Sequence, residues 1–283
     1  MIFRLEGLAM WLSMGLYAGA TVLYAYFFLS KKPLYSRYAT FLTGAGWLCH
    51  TATVGLHSSS VEGSRLWGSY SLVLAAWALV LVYFVVEHLV KLKVYGTVLV
   101  PVGLVLLVLA QILGAAKPYT PPPTADAALL DSWRVIVHVV LIVFANAGFA
   151  IGAVASGAYL VLEAQLKRHR TSTFFKRLPS LAQTDLVARR AVAWAFPAYT
   201  AGLLLGILRA VETDVAGWWA DPRVMLAGVV WAIFAAHLYL HYGRNTSGRT
   251  TSFVALAGLV FVVALAIVAR ALPVGFHVFG VGG

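Results

Sequence analysis

Long apolar runs separated by short polar segments dominate the pattern of this chain. Each run approaches or exceeds the roughly 20 residues that a helix needs to cross the hydrocarbon core of a bilayer. Strands are not expected, because the runs lack period-2 alternation and open sheet edges cannot face lipid. Eight runs qualify, at residues 9–29, 40–57, 69–90, 94–115, 134–162, 191–211, 223–241 and 251–272. The pattern predicts an all-α integral membrane protein, a bundle of about eight transmembrane helices forming a single domain over residues 1–283.

The segments between the runs alternate in charge. Most of the Lys and Arg residues fall in segments 30–39, 91–93, 163–190 and 242–250, and most of the acids fall in or beside the other segments. The positive-inside rule assigns the basic segments to the cytoplasm, so both termini are predicted on the extracytoplasmic side. The long segment 163–190 is expected to include a short basic amphipathic helix on the inner leaflet. We expect a multi-pass protein of the cell (inner or plasma) membrane, in contact with the lipid bilayer.

Composition excludes several classes of function. The chain is 61% hydrophobic and 11% charged, against about 25% charged residues in soluble domains. The net charge of +11 comes from short loops and not from one exposed basic domain, so nucleic acid is not an expected partner. Cys49 is the only cysteine, which excludes an intrachain disulfide or a CxxC redox pair. No soluble-type catalytic motif is present, and Glu87 stands nearly alone as a membrane carboxylate, which disfavours an ion-coupled transporter.

Two histidines are predicted on the outer side. His138 lies about one turn inside the outer end of the fifth run, and His277 follows the last run. Neutral imidazole is a strong ligand of haem iron, and two imidazoles on opposite sides complete axial coordination. The alternative is that both are interfacial or capping histidines.

An aromatic outer loop precedes the seventh run. Residues 212–222 include Trp218, Trp219 and Asp221. Interfacial tryptophans ordinarily anchor a protein in the headgroup region. The functional alternative is a flat surface on which a porphyrin stacks beside the outer histidines, with Trp67 and Trp133 at the same level.

Inside the predicted membrane region lie His50, His57, His237 and His241. Intramembrane ionisable residues are costly and are candidates for function by default. At 1.5 Å per residue, His50 and His237 differ in depth by about 6 Å, which makes them the best-matched pair for one haem between helices. His241 shares a face with His237 and is the alternative ligand. His88 and His169 border basic loops and are expected to be solvated.

These segments resemble the cytochrome c assembly family, the CcsA/ResC-type haem-handling membrane proteins related to CcmC and HemX. The similar stretches cover nearly the whole chain. They are residues 47–50 and 135–139 around His50 and His138, residues 66–70 and 75–78, the aromatic loop 218–222 with residues 231–236, and residues 275–277 ending in His277. In the tryptophan-rich signature of the family only Trp218, Asp221 and Pro222 keep their places, and Ala220 replaces the last tryptophan.

The resemblance implies a haem-binding and haem-delivery subunit of cytochrome c maturation. In such a protein His138 and His277 hold a non-covalent, b-type haem at the outer loop, and His50 and His237 receive haem within the membrane. The family's seventh-helix histidine aligns nearest Tyr239, between His237 and His241. The implied partners are a CcsB/ResB-type membrane protein and apocytochrome c, so the chain is at most one subunit of a cytochrome c synthase.

Other functions stay open at this point. The chain could be a haem-carrying or structural subunit of a larger respiratory complex, or a HemX-like regulator of tetrapyrrole metabolism without synthase activity. A transporter of another small molecule is a further alternative.

Overall fold

Each of the apolar runs lies in a helix of the computed structural model, which describes residues 2–59, 70–116, 132–168, 178–246 and 248–271. The long helices are α1 (Ile2–Ser30), α2 (Pro33–Ser59), α3 (Tyr70–Val90), α4 (Gly96–Ala116), α5 (Trp133–Lys167), α6 (Leu181–Glu212), α7 (Pro222–Leu238) and α8 (Gly248–Ala271). The described ranges contain no strand. The prediction of an all-α membrane protein with about eight helices is confirmed. The side of the membrane on which the termini lie stays a prediction.

Seven of the eight helices are long and apolar enough to cross a membrane. The exception is α2, which carries His50 and several buried threonine and serine hydroxyls. A polar face on a helix of this length needs partners inside the protein, because lipid offers no hydrogen bonds. The buried polar side chains of α2 explain its low hydropathy, and its crossing of the membrane stays a prediction.

The structure describes the two ends of the basic segment 163–190. Its described parts extend the neighbouring helices: α5 continues to Lys167 and α6 begins at Leu181. The start of α6 is fixed by a capping box, in which the Ser180 hydroxyl accepts from the Gln183 N–H and the Gln183 side chain accepts from the Ser180 N–H. Residues 169–177 lie outside the described ranges, so the short amphipathic helix expected in this segment stays a prediction.

The structure divides into two compact units, residues 1–119 and 120–283. In the first unit α1 packs against α2 and α4, and α3 packs against α4. A buried polar network joins these helices near the basic segments. Glu87 accepts hydrogen bonds from the hydroxyls of Tyr83 and Thr40 and is 3.6 Å from the Lys93 ammonium. Tyr24 completes the network with a 2.6 Å hydrogen bond to Tyr83.

In the second unit α5 packs closely on α6, and α8 contacts both α5 and α7. Small residues permit the close approach, as is usual between membrane helices. A Cβ on Gly148 would lie 2.8 Å from the Ala195 Cβ, and one on Gly152 would lie 2.8 Å from a Val192 methyl. Phe149 and Phe234 stack with ring centroids 3.6 Å apart in the buried core of this unit. This rigid contact fixes α7, and with it His237, against the α5–α6 pair.

Candidate functional site

His237 is a buried imidazole with one nitrogen held and the other without a partner. Its side chain lies on α7 with 2% of its surface exposed. Nδ1 is 2.9 Å from the backbone carbonyl oxygen of Thr251 in α8. A carbonyl can only accept, so Nδ1 carries the proton and Nε2 keeps its lone pair. Nε2 is buried and has no hydrogen-bond partner.

His50 has a similar arrangement in the first unit. It is fully buried on α2, and its Nδ1 is 3.4 Å from the Tyr17 hydroxyl of α1. The Tyr17 ring is held in place by Gly46, where a Cβ would come within 2.8 Å of the ring. The imidazole also interacts with the backbone of Val73. Its Nε2 is again buried without a hydrogen-bond partner.

His241 has different surroundings from His237. It lies in a single π-helical turn, Tyr239–Gly243, that continues α7. Such turns are rare in proteins, and those that occur often lie at functional sites. His241 is only half-buried and meets the Tyr242 ring edge-on at 5.1 Å. Tyr239, the position aligned with the family's seventh-helix histidine, is 64% exposed. Of these three side chains, His237 alone is enclosed by the protein.

His138 lies in the second turn of α5 and faces α6. Its Nδ1 is 2.6 Å from the carbonyl oxygen of Gly202, so this nitrogen also carries a proton. The imidazole rests on Gly206, where a Cβ would come within 2.7 Å of Cε1. The Gly206 backbone thus forms the surface under the ring, and the Gly202 carbonyl supplies the acceptor that orients it.

The aromatic loop connects α6 to α7. Gly217 takes a left-handed conformation (φ 69°) that favours glycine and leads into a 3-10 turn, Trp218–Ala220. Trp218 is half-buried and Trp219 is 69% exposed. Asp221 is 3% exposed and caps α7, since its carboxylate accepts from the Arg223 N–H at 2.7 Å. Asp221 therefore fixes the end of the loop that carries the tryptophans.

His138 and the aromatic loop lie at the same end of the second unit. Arg134, one turn before His138, forms a 2.8 Å ion pair with Glu212 at the end of α6. His237 lies at the other end, since its partner Thr251 is in the first turn of α8. His277 and Trp67 lie outside the described residues, so the proposed convergence of His138 and His277 stays a prediction. His50 and His237 belong to different units, and their pairing is likewise a prediction.

Two further histidines have other surroundings. His57 forms a 2.8 Å hydrogen bond with the Glu6 carboxylate and stacks on Tyr70 with ring centroids 3.7 Å apart. His88 is exposed near the end of α3. His57 thus has a partner within the first unit. The solvation expected for His88, and for His169 outside the described ranges, stays a prediction.

Several residues of the site were not singled out by sequence reasoning. Tyr17 and Gly206 each position a candidate histidine, and both could have been found. Tyr17 is on a predicted membrane helix where a hydroxyl needs a partner, and Gly202 and Gly206 form a small-xxx-small spacing. The Thr251 contact is made by the backbone, so no side chain signals it.

This histidine geometry suits haem iron. Metal-ligating histidines almost always donate one ring N–H to a carbonyl or other acceptor, which fixes the tautomer and presents the second nitrogen to the metal. His237 has this arrangement in full, and the buried Nε2 of His50 matches it. Neutral imidazoles in a dry environment are ligands for iron and weak candidates for general acid–base catalysis.

Comparisons with known proteins place these features in a family context. The profile of the family described as "Cytochrome C assembly protein" matches residues 64–277. The chain is 28% identical over 240 residues to "Cytochrome c biogenesis protein CcsA" of Prochlorococcus marinus (strain MIT 9303), an alignment covering 74% of this chain and 73% of the relative. It is 28% identical over 236 residues to the protein of that name from Synechococcus sp. (strain CC9605), covering 74% and 75%. The Guillardia theta protein of that name is 26% identical over 260 residues, covering 82% of each chain.

Proposed function

Because this chain belongs to the cytochrome c assembly protein family, we propose that it is the haem-binding and haem-delivery membrane subunit of cytochrome c biogenesis. The observation that carries the proposal is the pair of buried imidazoles whose Nε2 atoms have no hydrogen-bond partner, His50 and His237. A buried polar atom without a partner costs about 1–3 kcal/mol. A ligand that binds an unprotonated Nε2 offsets this cost, and haem iron is such a ligand.

Within the membrane, His50 and His237 are each a proposed ligand for the iron of a non-covalent b-type haem. The Thr251 carbonyl and the Tyr17 hydroxyl orient the two rings. Haem would supply the iron to which an imidazole nitrogen binds. His237 is preferred to His241 as the α7 ligand because it is enclosed and its tautomer is fixed.

On the outer side, His138 and His277 hold haem beneath the aromatic loop. The Gly202 carbonyl and the close contact with Gly206 fix the His138 ring. Trp219 offers an exposed indole face, and Asp221 holds the loop to α7. At the outer side of the cell membrane, the loop then presents the haem to apocytochrome c. A CcsB/ResB-type partner completes the synthase.

A second candidate function is favoured by the altered signature. Ala220 and Asp214 stand where the family has tryptophans, which reduces the stacking surface. A haem-carrying or structural subunit of a respiratory complex, or a HemX-like regulator of tetrapyrrole metabolism, would keep the membrane histidines and not need the full loop.

Cytochrome c attachment in cells distinguishes the two functions. Cells lacking the chain are expected to lose covalent haem on their c-type cytochromes. Expressing the wild-type chain in these cells should restore covalent haem attachment, and expressing the His237→Ala variant should not. His88→Ala is the matched control, because this exposed histidine has no proposed role and should restore attachment fully. Normal attachment in cells without the chain, at equal membrane levels of all variants, would reject the delivery function and favour the second candidate.

A further inference from the structure

Arg189 is a cation of the second unit that lacks an anionic partner. It lies on α6 about two turns from the start of the helix, and its Nε is buried without a hydrogen-bond partner. In the part of the chain that the structure describes, no carboxylate lies within ion-pair distance of it. Arg189 is half-buried, and holding a partly desolvated guanidinium without an anion costs free energy. An anion from outside the described residues would offset this cost.

Other cations of the second unit differ from Arg189 in this respect. Arg134 pairs with Glu212 at 2.8 Å, and Arg249 lies 3.8 Å from Glu163. Lys167 pairs with Glu163 at 2.6 Å. Within the described ranges, carboxylates therefore lie beside these cations and none lies within ion-pair distance of Arg189.

The surroundings of Arg189 place it beside the proposed membrane haem site. His241 interacts electrostatically with both Arg189 and Asp185, and His237 interacts with His241 and Asp185. These four side chains therefore form one cluster in which α6 meets the end of α7. The Arg189 guanidinium lies 5.8 Å from the centre of the Tyr242 ring, on the residue next to His241. This cation–π contact favours one orientation of the guanidinium.

Asp185 is the one acid among these four side chains, and its carboxylate lies against the start of α8. It is one turn before Arg189 on α6, yet its carboxylate lies against Gly248, where a Cβ would come within 2.9 Å of Oδ1. Gly248 begins α8, and the positive end of a helix dipole stabilises a carboxylate there. Tyr159 contacts the same glycine. Asp185 is thus accounted for without pairing with Arg189.

We propose that Arg189 binds a propionate carboxylate of the haem whose iron His237 coordinates. This inference rests on the proposed function and adds the group that orients the haem. Arginine pairs with carboxylates through two parallel hydrogen bonds, which fixes orientation as well as position. A propionate neutralises this half-buried guanidinium, so the haem enters with its acidic edge toward the basic segments and its iron toward His237.

Binding of haem and of its neutral dimethyl ester tests this inference. Both ligands are titrated into the full chain in uncharged detergent, in a His138→Ala/His277→Ala background that leaves only the membrane site. The chain with Arg189 is expected to bind haem about tenfold or more tighter than the ester, the size of one charge-assisted hydrogen bond. Arg189→Gln should lower the affinity for haem to that for the ester and leave the affinity for the ester unchanged. Arg189→Lys should recover part of the lost affinity for haem. The matched control, Arg190→Gln, changes an exposed neighbour and should behave as wild type.

The outcomes separate this inference from the proposed function. Equal affinity of the unsubstituted chain for haem and for the ester would overturn the role of Arg189 and leave haem binding intact. That comparison needs no Arg189 variant, so it holds even if Arg189→Gln fails to fold. An equal loss of haem and ester binding in Arg189→Gln would also overturn it, because a propionate contact affects haem alone. Failure of the chain to bind either ligand would reject the proposed function itself.

Discussion

The imidazole of His138 lies directly on Gly206, with no room for a Cβ between the ring and the α6 backbone: such an atom would be 2.7 Å from Cε1 and 2.8 Å from Nδ1. The same ring is held at Nδ1 by the Gly202 carbonyl at 2.6 Å. Glycine at residue 206 is therefore a condition for the orientation of His138.

Gly206→Ala is expected to displace the His138 ring and break its hydrogen bond to Gly202. Losing a contact that orients a metal ligand typically lowers metal affinity by about 10–100-fold. We therefore expect the affinity of the outer site for haem to fall by about that factor. Titration of haem into a His50→Ala/His237→Ala background measures the outer site alone. Gly228→Ala is the control, since a Cβ there meets nothing within 4 Å. Unchanged affinity in Gly206→Ala would show that His138 does not coordinate haem.

Tyr17→Phe removes the hydroxyl that is hydrogen-bonded to His50 and keeps the ring packing against Gly46. One neutral hydrogen bond contributes about 0.5–1.5 kcal/mol, so haem at the membrane site should bind about two- to tenfold more weakly. Tyr26→Phe is the control on the same helix, because Tyr26 is 55% exposed. A loss that is equal in the two variants would contradict a specific role for Tyr17.

Tyr83→Phe is expected to destabilise the first unit. The Tyr83 hydroxyl donates to the buried Glu87 carboxylate, and its loss leaves that charge with fewer partners. The expected cost is about 1–3 kcal/mol, seen as a lower Tm in detergent. Tyr38→Phe, at a 55% exposed position, should leave the Tm unchanged. A Tyr83→Phe protein as stable as wild type would mean that the network does not stabilise the helices.

Trp218→Ala is expected to weaken the binding of haem at the outer site and to leave haem binding at the membrane site unchanged. Stacking on an aromatic ring contributes about 0.5–1.5 kcal/mol beyond buried area, so a loss of several-fold is expected in the outer-site titration. Trp194→Ala on α6 is the control, because this indole is 81% exposed. The same affinity in both variants would place haem away from the loop.

The fold could be predicted from the apolar runs because lipid leaves few alternatives to helices of about 20 residues. The helix ends could not be predicted equally well. α5 and α6 extend beyond the apolar runs to Lys167 and from Leu181, since hydrophobicity ends at the membrane surface and hydrogen bonding along the helix does not. The Ser180–Gln183 capping box was readable in the sequence and marks the true start of α6.

For the candidate site, the sequence identified ligand types but not the contacts that orient them. His50 and His237 were singled out by depth, and both are buried. The preference for His237 over His241 required coordinates, because residues four apart share a helical face and only packing distinguishes them. The Thr251 carbonyl is a backbone group, so its role depends on where α8 begins. The missing ion-pair partner of Arg189 is likewise visible only once the surrounding carboxylates are placed.

Coordination of haem by His237 can be measured from absorption spectra of the chain with His237→Gly, with and without added imidazole. In a His138→Ala/His277→Ala background, unsubstituted His237 is expected to give a low-spin, bis-histidine haem spectrum. His237→Gly should lose it, and millimolar imidazole should restore it by occupying the space of the missing ring, whereas His88→Gly keeps the spectrum throughout. A low-spin spectrum that persists in His237→Gly without imidazole would contradict the assignment of His237 as the ligand.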